Sequence, residues 1–257
     1  AADEASAAAQ GHVEKDYTRF LDPNGLRGLR VGVICKFAKV NRDVDRLLSA
    51  AIEAIKAAGA EVMDVELATF GKWDDLEQKV LLYEFKADLN KYLASLGAKS
   101  QVKSLEDLIR FNEAHAREEM PYFGQELLVQ AQEKGGLDSE EYKKALADCR
   151  RLTRIEGTDA LLEKNKLDLL IGATGTPAWL TDLVNGDSGG FSDSSLAAVA
   201  GYPHITVPMG SVFGLPVGIS FMGAAWSEPT LIKAAFDYEQ ATKHRMKPKF
   251  LSSVALA

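Results

Sequence analysis

Apolar and polar positions along the chain fall into three regimes. Leu29-Arg30-Val31-Gly32-Val33-Ile34 is a short apolar run entered through the turn-like Asp22-Pro23-Asn24-Gly25, and it reads as a strand. Val44, Leu47, Leu48, Ala51, Ile52, Ile55 and Ala58 then recur at helical spacing on one face. Glu61 to Leu67 alternates polar and apolar, as a half-buried strand does. Residues 26–70 are thus expected to form a βαβ unit with parallel strands.

The middle regime is charged and helical. The spacing predicts helices near Asp74 to Leu96, Leu105 to Glu118, Tyr122 to Lys134 and Ser139 to Glu163, together a helical insertion over 74–163. Ser104 precedes Glu106 and Asp107 as an N-cap would. His115, among Glu113, Glu118 and Glu119, reads as part of a solvated helix face.

The last regime returns to β. Leu167 to Gly172 is almost continuously apolar, the pattern of a strand covered on both faces. Pro203 to Pro208 and Leu215 to Phe221 predict two further strands joined by a Gly-bearing loop. A short helix is expected over Ser195 to Ala200, and a final one from Ser227-Glu228-Pro229. The expected fold class is α/β, a mixed sheet flanked by helices. The expected organisation is a flexible lead over 1–15 and one α/β unit over 16–257, with a β-rich core over 167–245.

Composition narrows the function. The chain has 257 residues, a net charge of −7 and 46% hydrophobic positions, which suits a soluble globular body and disfavours a nucleic-acid surface. Cytoplasm is the preferred compartment. No apolar stretch reaches membrane-spanning length. Cys35 and Cys149 are too few for a disulfide framework and lack zinc spacing, so neither metal nor cofactor is expected. Only five of the 30 Lys and Arg residues follow Lys166, while residues 171–224 hold ten of the 21 glycines. Aromatic and branched residues there argue for an ordered interior with unusual backbone geometry, Trp179 and Trp226 being read as core.

Two constellations invite chemistry. Asn185 to Ser195 places serines among glycines, where Ser188 could be a nucleophile with His204 as base and Asp187 or Asp193 orienting it. The strand–Gly-x-Ser-x-Gly–helix elbow is missing, and Ser or Asp ahead of an Ala/Leu run is also a helix cap. Gly172 to Pro177 could cradle a phosphate, but no Lys accompanies it. A turn leaving a strand end is the simpler reading, and its backbone could line a pocket. His12 and His244 receive no role.

The residues also carry a resemblance. Leu167 to Thr174, then Ala197-Ala198-Val199-Ala200-Gly201-Tyr202-Pro203-His204-Ile205-Thr206-Val207-Pro208-Met209-Gly210, then Gly214-Leu215-Pro216-Val217-Gly218-Ile219 resemble the closing motifs of the amidase signature family. Leu26-Arg27-Gly28-Leu29-Arg30-Val31-Gly32-Val33 is similar to the strand that follows that family's catalytic core. The Tyr-Pro-His and Val-Pro-Met variants favour the peptide-amidase branch over the tRNA-dependent amidotransferases.

The resemblance implies hydrolysis of carboxamides by a Ser–Ser–Lys set, in which a neutral Lys is the base and glycine-rich amides hold the oxyanion. Those three residues belong upstream of the "LRGLRIGV" strand. Asp187-Ser188-Gly189-Gly190 does not match their Gly/Ser box, and no Lys lies between Lys166 and Lys233. The expectation is a C-terminal amidase half, inactive alone, whose partners are an amide substrate, the missing N-terminal half and a possible second copy. Gly175, Trp179, Asp187 and Ser188 are the expected substrate contacts, with Asp187 suited to a substrate ammonium. The rival expectations are a self-associating or partner-binding module with an unsatisfied sheet edge, and a compact Ser hydrolase using Ser188 with His204.

Overall fold

The computed structural model describes residues 4–38, 41–98, 100–187 and 190–250. The chain packs as two units. One comprises residues 1–67, 158–179 and 190–257, the other residues 68–157 and 180–189.

The first unit is built on a five-stranded mixed sheet. Its strands are β1 (Arg30–Ile34), β2 (Glu61–Val65), β3 (Leu169–Ala173), β4 (His204–Val212) and β5 (Leu215–Met222). Their order is β2-β1-β3-β5-β4. β1 runs parallel to both β2 and β3, whereas β5 is antiparallel to β3 and β4. Helix α1 (Arg42–Ala57) makes the crossover from β1 to β2, as the spacing of its apolar residues predicts. Asn41 caps it, the side-chain oxygen accepting from the Asp43 and Val44 amides.

Side-chain alternation gives the sheet two unlike faces. Val31, Val33, Leu169, Ile171, Ala173, Val217, Ile219 and Phe221 form the core with Val44, Leu48, Ala51 and Ile55 of α1. Leu231, Ala234, Ala235 and Tyr238 of α9 (Glu228–Thr242) complete it. Each fully buried Leu, Ile or Phe contributes about 1.5–3 kcal/mol of transfer free energy. Buried Asp237 of α9 accepts the Leu26 amide at 2.9 Å, tying the entry turn to the last helix. Asp168, ahead of β3, accepts the Arg30 amide at 2.7 Å and so fixes β1 beside β3.

β4 and β5 are joined by Phe213-Gly214, with φ of 51° and 79°. Two positive φ values in a two-residue connection match a type I′ turn, whose twist suits a hairpin. Ser227 precedes α9 but does not cap it: its hydroxyl donates to the Ala224 carbonyl at 2.7 Å. Trp226 is not core as expected. It is 42% exposed and stacks on His12, with ring centroids 4.3 Å apart, which gives His12 a packing role.

The second unit is helical, with α2 (Asp74–Ser95), α3 (Leu105–Ala114), α4 (Ala116–Glu119), α5 (Glu126–Gln132) and α6 (Glu140–Arg150). Ser104 caps α3 as expected, accepting from the Asp107 amide at 3.1 Å. The helix expected over 105–118 breaks at His115, where φ −115° and ψ 25° leave the helical region. That exposed imidazole lies on the Phe111 ring and carbonyl. The helix expected from Tyr122 begins only at Glu126. Beyond α6 a π-type segment, Arg151–Thr158, interrupts the long helix expected to Glu163, and Gly157 kinks it. A Cβ there would stand 2.6 Å from the Leu152 carbonyl oxygen. Tyr142 donates to Glu84 at 2.7 Å, and burial with that carboxylate pushes its phenol up to about 12. Helix α7 (Asp159–Asn165) leads into β3.

Candidate functional site

Opposite the core, the sheet carries a polar patch beside buried Leu170 and Met222. Gly172 and Thr174 on and after β3, Gly218 and Ser220 on β5, and His204 and Thr206 on β4 share it by register. Small side chains here let hydroxyls from three strands meet. The Thr174 and Thr206 oxygens stand 2.7 Å apart, and Thr174 lies 2.8 Å from the Ser220 oxygen.

Asp193 completes the cluster from the loop ahead of α8 (Ser194–Ala200). It is 1% exposed, and its Oδ1 accepts the Ser220 hydroxyl at 3.1 Å. The imidazole Nε2 of His204 lies 3.5 Å from the same oxygen. Asp193 stands at the N-cap position of α8 yet makes no side-chain cap bond. Its carboxylate is turned into the sheet instead. A buried carboxylate needs such partners, because desolvation without them is costly.

The same residues close the neck of the glycine-rich loop. The Asp193 amide donates to the Thr174 carbonyl at 3.1 Å, and the Thr176 amide donates to the Phe191 carbonyl at 3.1 Å. Gly175 forms a bridge with Ser192 between those two bonds. A Cβ on Gly175 would meet the Phe191 carbonyl oxygen at 2.8 Å. The segment expected as a turn after β3 is therefore the first limb of this neck. Phe37, just after β1, packs on Phe191 with ring centroids 5.7 Å apart. The site thus sits beyond the carboxyl ends of the parallel strands β1 and β3, where open α/β sheets place ligands.

Of the four expected substrate contacts, Gly175 lies in the neck. Trp179 follows it, half exposed rather than core, against Gly190. Asp187 belongs to the helical unit and is exposed. Ser188 lies outside the described residues. His204, weighed as a base for Ser188, faces Asp193. Asp193, Ser220, Thr174 and Thr206 do not stand out as a group from their spacing in the sequence. The alternation of Val217, Ile219 and Phe221 with Gly218 and Ser220 is the signal that marks a polar face.

Among the described residues no group of three or more His, Cys, Asp or Glu could hold a metal ion, and no helix is long and apolar enough to cross a membrane. β4 and β5 also border an open surface groove of about 220 Å³, lined by Thr206, Val207, Pro208, Pro216, Val217 and Gly218.

The chain is similar in sequence and fold to known proteins. The amidase family model matches residues 2–232. A probable amidase of Arabidopsis thaliana is 37% identical over 97% of this chain and 45% of its own length. A putative amidase of Schizosaccharomyces pombe is 30% identical over 93% of this chain and 44% of its own. The native peptide amidase of Stenotrophomonas maltophilia superposes with a TM-score of 0.86 at 44% identity, over 96% of this chain and 50% of its own. The chain spans about half the length of the curated relatives it matches. With its α/β fold, its closing strand motifs and its 44% identity to the peptide amidase, the chain belongs to the amidase family, on the peptide-amidase-like branch.

Proposed function

We propose that this chain is the C-terminal part of a carboxamide-hydrolysing amidase, supplying the sheet and the substrate-facing wall. The observation that carries the reading is the likeness to peptide amidase over 96% of the chain, joined to a polar face at the carboxyl ends of β1 and β3. In this reading the Ser–Ser–Lys set comes from the half of the relatives that the chain does not match. The contacts made by lysines here support it: Lys79, Lys143 and Lys144 turn to carboxylates, and Lys86 to the Gln132 and Lys134 carbonyls. None of these four turns to a serine hydroxyl.

Peptide amides are the proposed substrates, following the branch of the family. Gly175 would offer backbone close to the substrate, Trp179 an apolar surface, and Asp187 a carboxylate for an ammonium. Ser188 is retained as a proposed contact. The missing half and an amide substrate are the proposed partners. The test is ammonia release from a peptide amide by the purified chain. No release above buffer is expected. Release abolished by Ser188→Ala would instead favour the compact Ser hydrolase.

One observation favours a second reading, a self-associating or partner-binding module. β4 closes one side of the sheet and exposes Thr206 at its middle. A free strand edge is a template for pairing. Sedimentation over a range of concentrations tests it, a constant monomer mass counting against self-association.

A further inference from the structure

The hydroxyl cluster has a direction. Each hydroxyl carries one proton and two lone pairs, whereas a carboxylate only accepts. Ser220 gives its proton to Asp193 Oδ1. It can then only accept from Thr174, 2.8 Å away. Thr174, its proton committed, can only accept from Thr206, 2.7 Å away. The proton of Thr206 is therefore turned inward, and both of its lone pairs are left to accept at an exposed position on β4.

The Thr206 hydroxyl borders the open surface groove of about 220 Å³ along β4 and β5. This volume is several times the roughly 30 Å³ that a water occupies. Its side chains carry one hydroxyl, that of Thr206, and no charge. Pro208 and Pro216 have no N–H, and no Lys or Arg is among the six residues. An entering carboxylate finds no cation and no hydroxyl proton there, while an N–H donor finds the Thr206 oxygen.

We propose that Thr206 is a specificity-determining acceptor that selects a carboxamide N–H over a carboxylate, with Asp193 setting its polarity through Ser220 and Thr174. The ligand class is the primary carboxamide. This rests on the amidase reading only for the ligand's purpose: the group admitted is the substrate's, and the acid product is held less well.

The test uses the isotope-labelled full chain and two probes, N-acetylalaninamide and N-acetylalanine, with the backbone signals of Thr206 and Gly218 followed by NMR. The amide is expected to shift both signals saturably, and the acid to bind at least about tenfold more weakly, a difference of about 1.4 kcal/mol. Thr206→Val should bring amide binding down to the acid's level, and Thr206→Ser should restore it. Ser220→Ala should keep amide binding but erase most of the tenfold preference, because Thr174 and Thr206 are freed to rotate. Equal binding of the two probes, no saturable shift with the amide, or a preference that survives Thr206→Val would overturn the proposal. Failure of the amidase reading is distinguishable: the amide would be bound selectively but never hydrolysed in the complemented enzyme.

Discussion

Thr174 and Thr206 bring their hydroxyl oxygens to 2.7 Å although β5 runs between the strands that carry them. The contact passes over Gly218. A Cβ at that position would stand 2.5 Å from the Thr206 oxygen and 2.8 Å from the Thr174 oxygen. The glycine in the Gly-Leu-Pro-Val-Gly strand thus serves close approach, and the polar face depends on it.

Gly218→Ala should part the two hydroxyls and overpack the face. Destabilisation of about 1–3 kcal/mol is expected, read as a lower denaturant midpoint with the slope unchanged. A neutral result would mean that the two threonines do not meet.

Asp193→Ala leaves the Ser220 hydroxyl without its acceptor and His204 without its facing carboxylate. Loss of a buried acceptor costs about 1–3 kcal/mol. The amides of Thr176 and Asp193 that close the loop neck should exchange faster in the variant, and hydrogen exchange resolved to those residues checks this. Unchanged protection would separate the carboxylate from the neck.

Phe213 holds φ 51° at 96% exposure, so its ring gains little from packing while its backbone sits in the left-handed region. Phe213→Asn should stabilise the hairpin by about 1 kcal/mol, since asparagine tolerates that conformation. The thermal midpoint is the readout, and a fall in it would contradict the turn assignment.

Burial pushes the Tyr238 phenol up to about 12, from an ordinary value of 10.0. The Thr242 side chain beside it offsets only part of that burial. A raised folded-state value means that the contribution is fully present below about pH 10 and is lost as pH rises through about 12. Spectrophotometric titration should show two late phenolates, Tyr142 and Tyr238, and only one in Tyr238→Phe, a variant that should be no less stable near neutral pH. A Tyr238 phenolate appearing near pH 10 would contradict the burial.

The fold was legible where one periodicity ran uninterrupted. The apolar stripe of α1 and the alternation of Glu61 to Leu67 give the parallel β1–β2 pair, and the run before Gly172 gives β3 as a central strand. Helix ends in the charged middle were not legible, because helical spacing continues through His115 and Gly157 where backbone geometry breaks it. The site was legible only as a region. Gly175 and His204 stood out as residue types, but the partner of His204 depends on a fold-back that brings Asp193 beside β5. Asp193 is one of two acids that the sequence offers to orient His204, but a helix cap is its simpler reading, and pairwise contact rather than spacing decides between them. Trp179 and Trp226 are large and apolar, which predicts core, yet local loop geometry leaves both partly in solvent.

The most direct test combines the purified chain with a polypeptide spanning the unmatched half of the Stenotrophomonas maltophilia peptide amidase and follows ammonia release from a peptide amide. The account predicts hydrolysis by the mixture and by neither component alone. Hydrolysis by this chain unaided, or a mixture that forms a complex and still leaves the amide intact, would contradict it.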